Sequence, residues 1–124
     1  GSIDLPAQLR HHIRSGRMEI IRFEKLQECV DFIHSKSNIQ IIGVEIDETS
    51  VDVEKMENML TNRDTAFMMG NEGQGMNAKQ MSLCDGFIRI AQYGGGTASL
   101  NVNVAASVVL HRFQIWSRNS LDKE

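Results

Sequence analysis

The sequence predicts an α/β domain built on a mostly parallel sheet with helices on both faces. Three observations predict it: short β-branched runs alternate with stretches of helical period, the strand candidates are near-continuous apolar segments, and two of them run directly into glycine-rich loops. Apolar strands without polar alternation are those buried on both faces, as in a parallel sheet covered by helices. Ligands of such sheets bind at the carboxyl ends of the strands, which is where both glycine loops fall.

Each element has its own signal. Leu5, Leu9 and Ile13 recur at i, i+4 and i+8 behind Asp4 as N-cap and Pro6 in the first turn, and Gly16 sits where a helix would stop. Met18 to Arg22 reads as a short strand, and Lys25 to Lys36 as a helix carrying Leu26, Cys29, Val30 and Ile33 on one face. Ile39 to Ile46 is rich in β-branched residues and reads as a buried strand, followed by a helix over Val51 to Leu60 bearing Val53, Met56 and Leu60. A strand over Thr65 to Met69, a short helix near Ala78 to Leu83 and a strand over Phe87 to Ile90 come next. The segment from Leu100 to Arg118 holds no proline or glycine and reads as a long final helix. The domain therefore spans residues 3–118, with 119–124 as a disordered tail.

Composition narrows the class. With 124 residues, 41% hydrophobic and 23% charged, the chain is expected to be one ordinary globular domain. No apolar run is long enough to span a bilayer and no leader opens the chain, so an intracellular, cytoplasmic location is expected. Cys29 and Cys84 lack paired spacing, and His34 and His111 stand apart from other ligand types, so neither a metal site nor a disulfide framework is expected. The net charge of -3 argues against attraction to nucleic acid over the whole surface. The charge is unevenly placed, however: Arg10, Arg14, Arg17, Arg22 and Lys25 face only Glu19 and Glu24, whereas acids dominate from Glu45 to Glu57. The basic stretch suits either a phosphate contact or a solvated helix face.

The first loop, Gly70-Asn71-Glu72-Gly73-Gln74-Gly75, lacks the Lys-Ser/Thr pair of a phosphate-binding loop and misses the GxGxxG spacing of a dinucleotide fold. Its glutamate would repel a pyrophosphate, so a ligand with a neutral or cationic reacting centre fits better. The second, Gly94-Gly95-Gly96-Thr97-Ala98-Ser99-Leu100-Asn101, leads into the final helix. Ser99 is placed to cap that helix and Asn101 to lie in its first turn, roles that serve either the helix or a ligand.

Taken together, Gly70-Asn71-Glu72-Gly73 with Gly75, the strand ending at Ile90, and Ser99-Leu100-Asn101-Val102 followed by Val104-Ala105-Ala106 resemble the second and third motifs of the SpoU or TrmH-type RNA 2'-O-ribose methyltransferases of the SPOUT superfamily. The resemblance runs from about Gln40 to Trp116. It implies a C-terminal trefoil knot, an exception to the rule that chains do not thread loops. The knot would bring both glycine loops around one molecule of S-adenosyl-L-methionine. Met69 and Gly70 would wrap its adenosine part, Ile90 and Gln92 would meet the adenine through backbone, Leu100 would close the pocket, Glu45 would line it, and Asn71, Gly73 and Ser99 would also bind the cofactor. Glu72, Ser99 and Asn101 would be the catalytic polar groups.

The resemblance also implies an RNA substrate, transfer RNA before ribosomal RNA, and a homodimer formed through the final helix, whose Val104, Val108, Val109, Leu110, Phe113 and Trp116 are apolar. The family's upstream segment, Asn-x-Gly-x-x-x-Arg, carries its proposed general base and does not occur before Arg22. The usual first strand and helix are therefore expected to be missing, and Gly1-Ser2 has the look of a cleavage scar. The alternative expectation is a noncatalytic module of the same fold that binds S-adenosylmethionine or associates with RNA. A nucleotide-binding α/β domain without a methyl donor is the third.

Overall fold

The structure, a computed structural model, describes residues 5–46, 49–70, 74–90 and 101–122. In chain order these form helix α1 (Ala7–Arg14), helix α2 (Leu26–Lys36), strand β1 (Gln40–Val44), strand β2 (Val51–Asp52), a 3₁₀ segment (Val53–Asn58), strand β3 (Thr65–Met69), helix α3 (Ala78–Ser82), strand β4 (Gly86–Arg89) and helix α4 (Val102–Asp122). The four strands make one parallel sheet in the order β2-β4-β1-β3. The expected α/β class with a parallel sheet is therefore present. The expected knot depends on residues 91–100, which lie outside the described residues, as does the expected cap Asp4.

β1 and β4 are the interior strands, and β1 aligns β3 and β4. Its residues Gln40 to Val44 pair in order with Thr65 to Met69, and Ile42, Gly43 and Val44 pair with Gly86, Phe87 and Ile88. Successive side chains of a strand point to opposite faces. Ile42 and Val44 accordingly join Ile88, Val53, Met56, Leu60 and Val109 in one apolar cluster, with Phe67, Ile90, Phe113 and Trp116 packed against it. Phe113 of α4 meets Phe67 edge-on at 5.4 Å and Trp116 at 5.6 Å, so α4 is seated on this face. On the other face Gly43 leaves room for Met76 and Phe87: a Cβ there would lie 2.8 Å from an atom of each.

Three expectations are corrected. Met18 to Arg22 is not a strand; Met18, Ile20 and Ile21 are about two-fifths exposed, at 40%, 42% and 43%. β-branched residues favour a pleated, half-buried surface, and no ladder partner meets this segment among the described residues. The helix expected over Val51 to Leu60 begins as strand, because β4 offers Val51 and Asp52 a ladder through Ile88 and Arg89. Only then does the chain turn into 3₁₀ geometry, interrupted at Lys55 with φ -115° and ψ 23°. Finally, α4 continues to Asp122, past Asn119 where the tail was expected to begin.

Two ends are well explained. α1 closes where Gly16 takes φ +77°, a conformation that favours glycine, while Ser15 Oγ donates to the His12 carbonyl at 3.0 Å. At the amino end of β1, the buried Gln40 amide donates to the Thr61 carbonyl and to Thr65 Oγ1, both at 2.8 Å, and its oxygen accepts from Thr61 N–H at 3.1 Å. A buried amide satisfied in this way locks β1 to the turn before β3.

Candidate functional site

Because the strands are parallel, the register decides what meets at their carboxyl ends. Val44 is opposite both Met69 and Ile88, so Glu45, Gly70 and Ile90 leave the sheet along one edge. The Glu45 N–H continues the ladder by donating to the Ile88 carbonyl at 3.0 Å. Of the residues expected to bind cofactor, Glu45, Met69, Gly70 and Ile90 are thus brought together. Asn71, Gly73, Gln92, Ser99 and Leu100 lie outside the described residues, and so does Glu72.

Glu45 organises this edge. Its Oε2 accepts the Met76 N–H at 2.7 Å and its Oε1 accepts the Ile46 N–H at 3.2 Å. The two loop glycines make the space it fills. A Cβ on Gly75 would lie 2.5 Å from Glu45 Oε2, and one on Gly70 would lie 3.3 Å from the same oxygen and 3.2 Å from the Gly75 carbonyl carbon. Gly75 also takes φ +70°, the left-handed region that a side chain makes costly. Strand end and loop end therefore press backbone to backbone with one carboxylate between them.

The chain leaves this junction through a capping box. Asn77 Oδ1 accepts the Gln80 N–H and Gln80 Oε1 accepts the Asn77 N–H, both at 2.8 Å, which starts α3 two residues after Met76. A helix was expected near Ala78 to Leu83, but not this cap, whose signal is the Asn77-Ala78-Lys79-Gln80 spacing.

Asn101 stands elsewhere than expected. It is the cap of α4 rather than a first-turn residue: its Oδ1 accepts the Asn103 N–H at 2.8 Å and its carbonyl accepts the Ala105 N–H at 2.9 Å. The helix begins at Val102, so the short polar side chain satisfies an otherwise unpaired amide of the first turn.

The described part of the edge carries one carboxylate, bonded to the Met76 and Ile46 amides, and the Ser50 hydroxyl, which donates to the Glu45 carbonyl at 2.6 Å. A fixed negative charge at this edge disfavours a pyrophosphate. Arg89, at the end of β4, is bonded to Asp52 at 3.0 Å. Among the described residues no group of three or more His, Cys, Asp or Glu side chains could hold a metal ion, and no helix is long and apolar enough to cross a membrane. A cleft of about 480 Å³ lies at the opposite, amino end of β3, between Arg63, Asp64 and Thr65 and the α4 residues Phe113 and Trp116.

Cys84 sits behind the site. Burial, and then the Asp85 charge, push its thiol pKa up. Its sulfur lies 3.9 Å from Met68 Sδ and 3.5 Å from the Gln80 carbonyl, as befits a packed thiol and not a nucleophile.

Comparison with known proteins agrees with this geometry. A tRNA (guanosine(18)-2'-O)-methyltransferase from Aquifex aeolicus (strain VF5) is 28% identical over 127 residues, which cover 95% of this chain and 58% of that protein. The chain thus spans less than two thirds of the length of that relative. The SpoU methyltransferase AviRb from Streptomyces viridochromogenes shares the fold with a TM-score of 0.69 at 22% identity, covering 81% of this chain and 38% of that one. The structure of AviRb in complex with the cofactor AdoMet aligns with a TM-score of 0.62 at 24% identity, over 74% of this chain and 34% of that one. The model of the SpoU rRNA Methylase family matches residues 8–111, a span that takes in all four strands and both glycine loops. The chain belongs to the SpoU rRNA methylase family.

Proposed function

We propose that this chain is the cofactor-binding part of an S-adenosylmethionine-dependent RNA 2'-O-ribose methyltransferase, with transfer RNA preferred to ribosomal RNA. The observation that carries the reading is the meeting of Glu45, Gly70 and Ile90 at one sheet edge, with Gly75 folded back on Gly70, in a chain of this family. The preference for transfer RNA is supported by the name of the Aquifex relative, and the cofactor by the AdoMet complex of AviRb.

S-adenosylmethionine, when bound, supplies a methyl group on a cationic sulfonium for attack by the ribose 2'-oxygen. The work of the protein is then alignment and removal of one proton. Met69 and Gly70, with Asn71 and Gly73, would hold the adenosine side, and the Ile90 and Gln92 backbone the adenine. Leu100 would close the pocket, and Glu72, Ser99 and Asn101 would order the reacting end. Residues 91–100 would form part of the knot that brings the second loop to the first. No Asn-x-Gly-x-x-x-Arg segment occurs in these 124 residues, so binding is proposed and little transfer is expected from this chain by itself. That same observation favours, as a second reading, a noncatalytic S-adenosylmethionine-binding or RNA-associated module.

A homodimer through α4 completes the proposal. Val104, Val108, Leu110 and Ile115 are exposed on that helix, at 49%, 37%, 56% and 37%. Calorimetry with S-adenosylmethionine and with its demethylated product tests the central reading: saturable binding with one site per chain is expected, and a folded sample that binds neither overturns it. Robust transfer of labelled methyl groups to RNA by this chain alone would overturn the split between binding and turnover.

A further inference from the structure

We infer that Glu45 is a positioning residue that ties Gly75 and Met76 to the sheet edge at Gly70 and acts on the methyl donor through that junction, without touching it. The inference rests on the reading of this edge as an S-adenosylmethionine site and changes the part Glu45 plays in it, from lining the pocket to holding its wall.

Four segments are joined at this residue. Its N–H donates to Ile88 of β4 at 3.0 Å, its carbonyl accepts from Ser50 Oγ at 2.6 Å, and its carboxylate takes the Met76 and Ile46 amides at 2.7 and 3.2 Å. A carboxylate that accepts two backbone amides has spent its best-placed lone pairs on them. The distances from Oε2 to the Cβ positions of Gly70 and Gly75 show the same orientation by a different route: the side chain points into the fold-back of the loop. A residue with a Cβ at 75 would drive the carboxylate out, and loss of the carboxylate would leave the Met76 amide without the acceptor that ends the loop and starts α3.

A latch and a charged pocket wall differ in what they demand of position 45. A latch needs an acceptor of the right reach for the Met76 amide, which glutamine keeps while giving up the longer Ile46 bond, and which aspartate, shorter by one methylene, does not keep. A wall that acts by its charge on a sulfonium needs the carboxylate, which aspartate keeps and glutamine does not.

The test uses Glu45→Gln, Glu45→Asp and Glu45→Ala in the chain as it stands, with two readouts. Hydrogen exchange of the Met76 amide is measured without ligand, and calorimetry measures the affinity for S-adenosylmethionine. The latch predicts that Glu45→Gln keeps Met76 protected and binds within about threefold of wild type, while Glu45→Ala and Glu45→Asp exchange Met76 about tenfold faster or more and bind correspondingly less tightly. Retained affinity in Glu45→Ala, or lost affinity in Glu45→Gln with Met76 still protected, would overturn the inference. If the wild-type chain binds no donor, the functional reading fails, and the exchange of Met76 still decides whether Glu45 holds the loop.

Discussion

Asp85 and Ile41 hold each other by two reciprocal hydrogen bonds: the Asp85 N–H donates to the Ile41 carbonyl, and the Ile41 N–H donates to Asp85 Oδ2, each at 2.7 Å. The pair stands one residue before β4 and fixes Gly86 opposite Ile42, and with it the alignment that brings Ile88 to Glu45.

Asp85→Ala removes one acceptor and strands the buried Ile41 amide. A loss of about 1–3 kcal/mol is expected in urea denaturation, with Asp85→Asn, which keeps an oxygen acceptor, losing less. Equal losses for the two variants would mean that the charge of Asp85, and not its acceptor, matters.

Gln40 is 1% exposed and fully engaged with residues 61–65. Gln40→Leu keeps much of the volume and orphans the Thr61 amide, while the Thr61 carbonyl keeps the Arg63 N–H at 2.7 Å. Destabilisation of about 2–3 kcal/mol is expected, read from the thermal midpoint, with Gln40→Glu no better because it lacks the amide donors.

Gly43→Ala tests the packing beneath the site. The new methyl would meet Met76 Cε and Phe87 Cδ1 at 2.8 Å, closer than carbon atoms pack. A cost of about 1–3 kcal/mol is expected in chemical denaturation. Because Met76 carries the amide that Glu45 holds, the same variant should weaken donor binding more than a surface Gly→Ala change does, as calorimetry would read.

The raised pKa of Cys84 has a direction in pH. The folded chain keeps the thiol proton that the unfolded chain has lost, so the native state binds more protons in that window. The stability this group contributes is full below the ordinary thiol value and is lost as pH rises through the higher folded value. Wild type should therefore lose more stability than Cys84→Ala between about pH 7 and about pH 10, measured by urea midpoints. Iodoacetamide should label Cys84 more slowly than it labels glutathione.

What the residues alone disclose follows from how local each cause is. β1, β3 and β4 are short apolar runs, α3 and α4 carry their own periods, and Gly16 marks the end of α1; all of these causes lie within a few neighbouring residues. β2 is different, because Val51 and Asp52 are strand only by virtue of β4, which comes more than thirty residues later in the chain. Met18 to Arg22 is the converse, a strand-like composition that meets no ladder. At the site, the register was needed to bring Glu45, Gly70 and Ile90 together, and the side-chain geometry was needed to turn Glu45 toward the loop and Asn101 into a cap.

The sheet order carries a consequence in time. β4, the last of the described strands, lies between β1 and β2, and among the described residues β2 is paired with β4 alone. A nascent chain that has emerged only through β3 can zip β1 to β3, while Val51 and Asp52 wait as an unattached flap. Entry of residues 86–89 then joins two pre-existing pieces from the middle, a late long-range step of the kind that slows folding. The carboxyl edge is complete, with Ile90 joined to Glu45 and Gly70, at that step and no sooner.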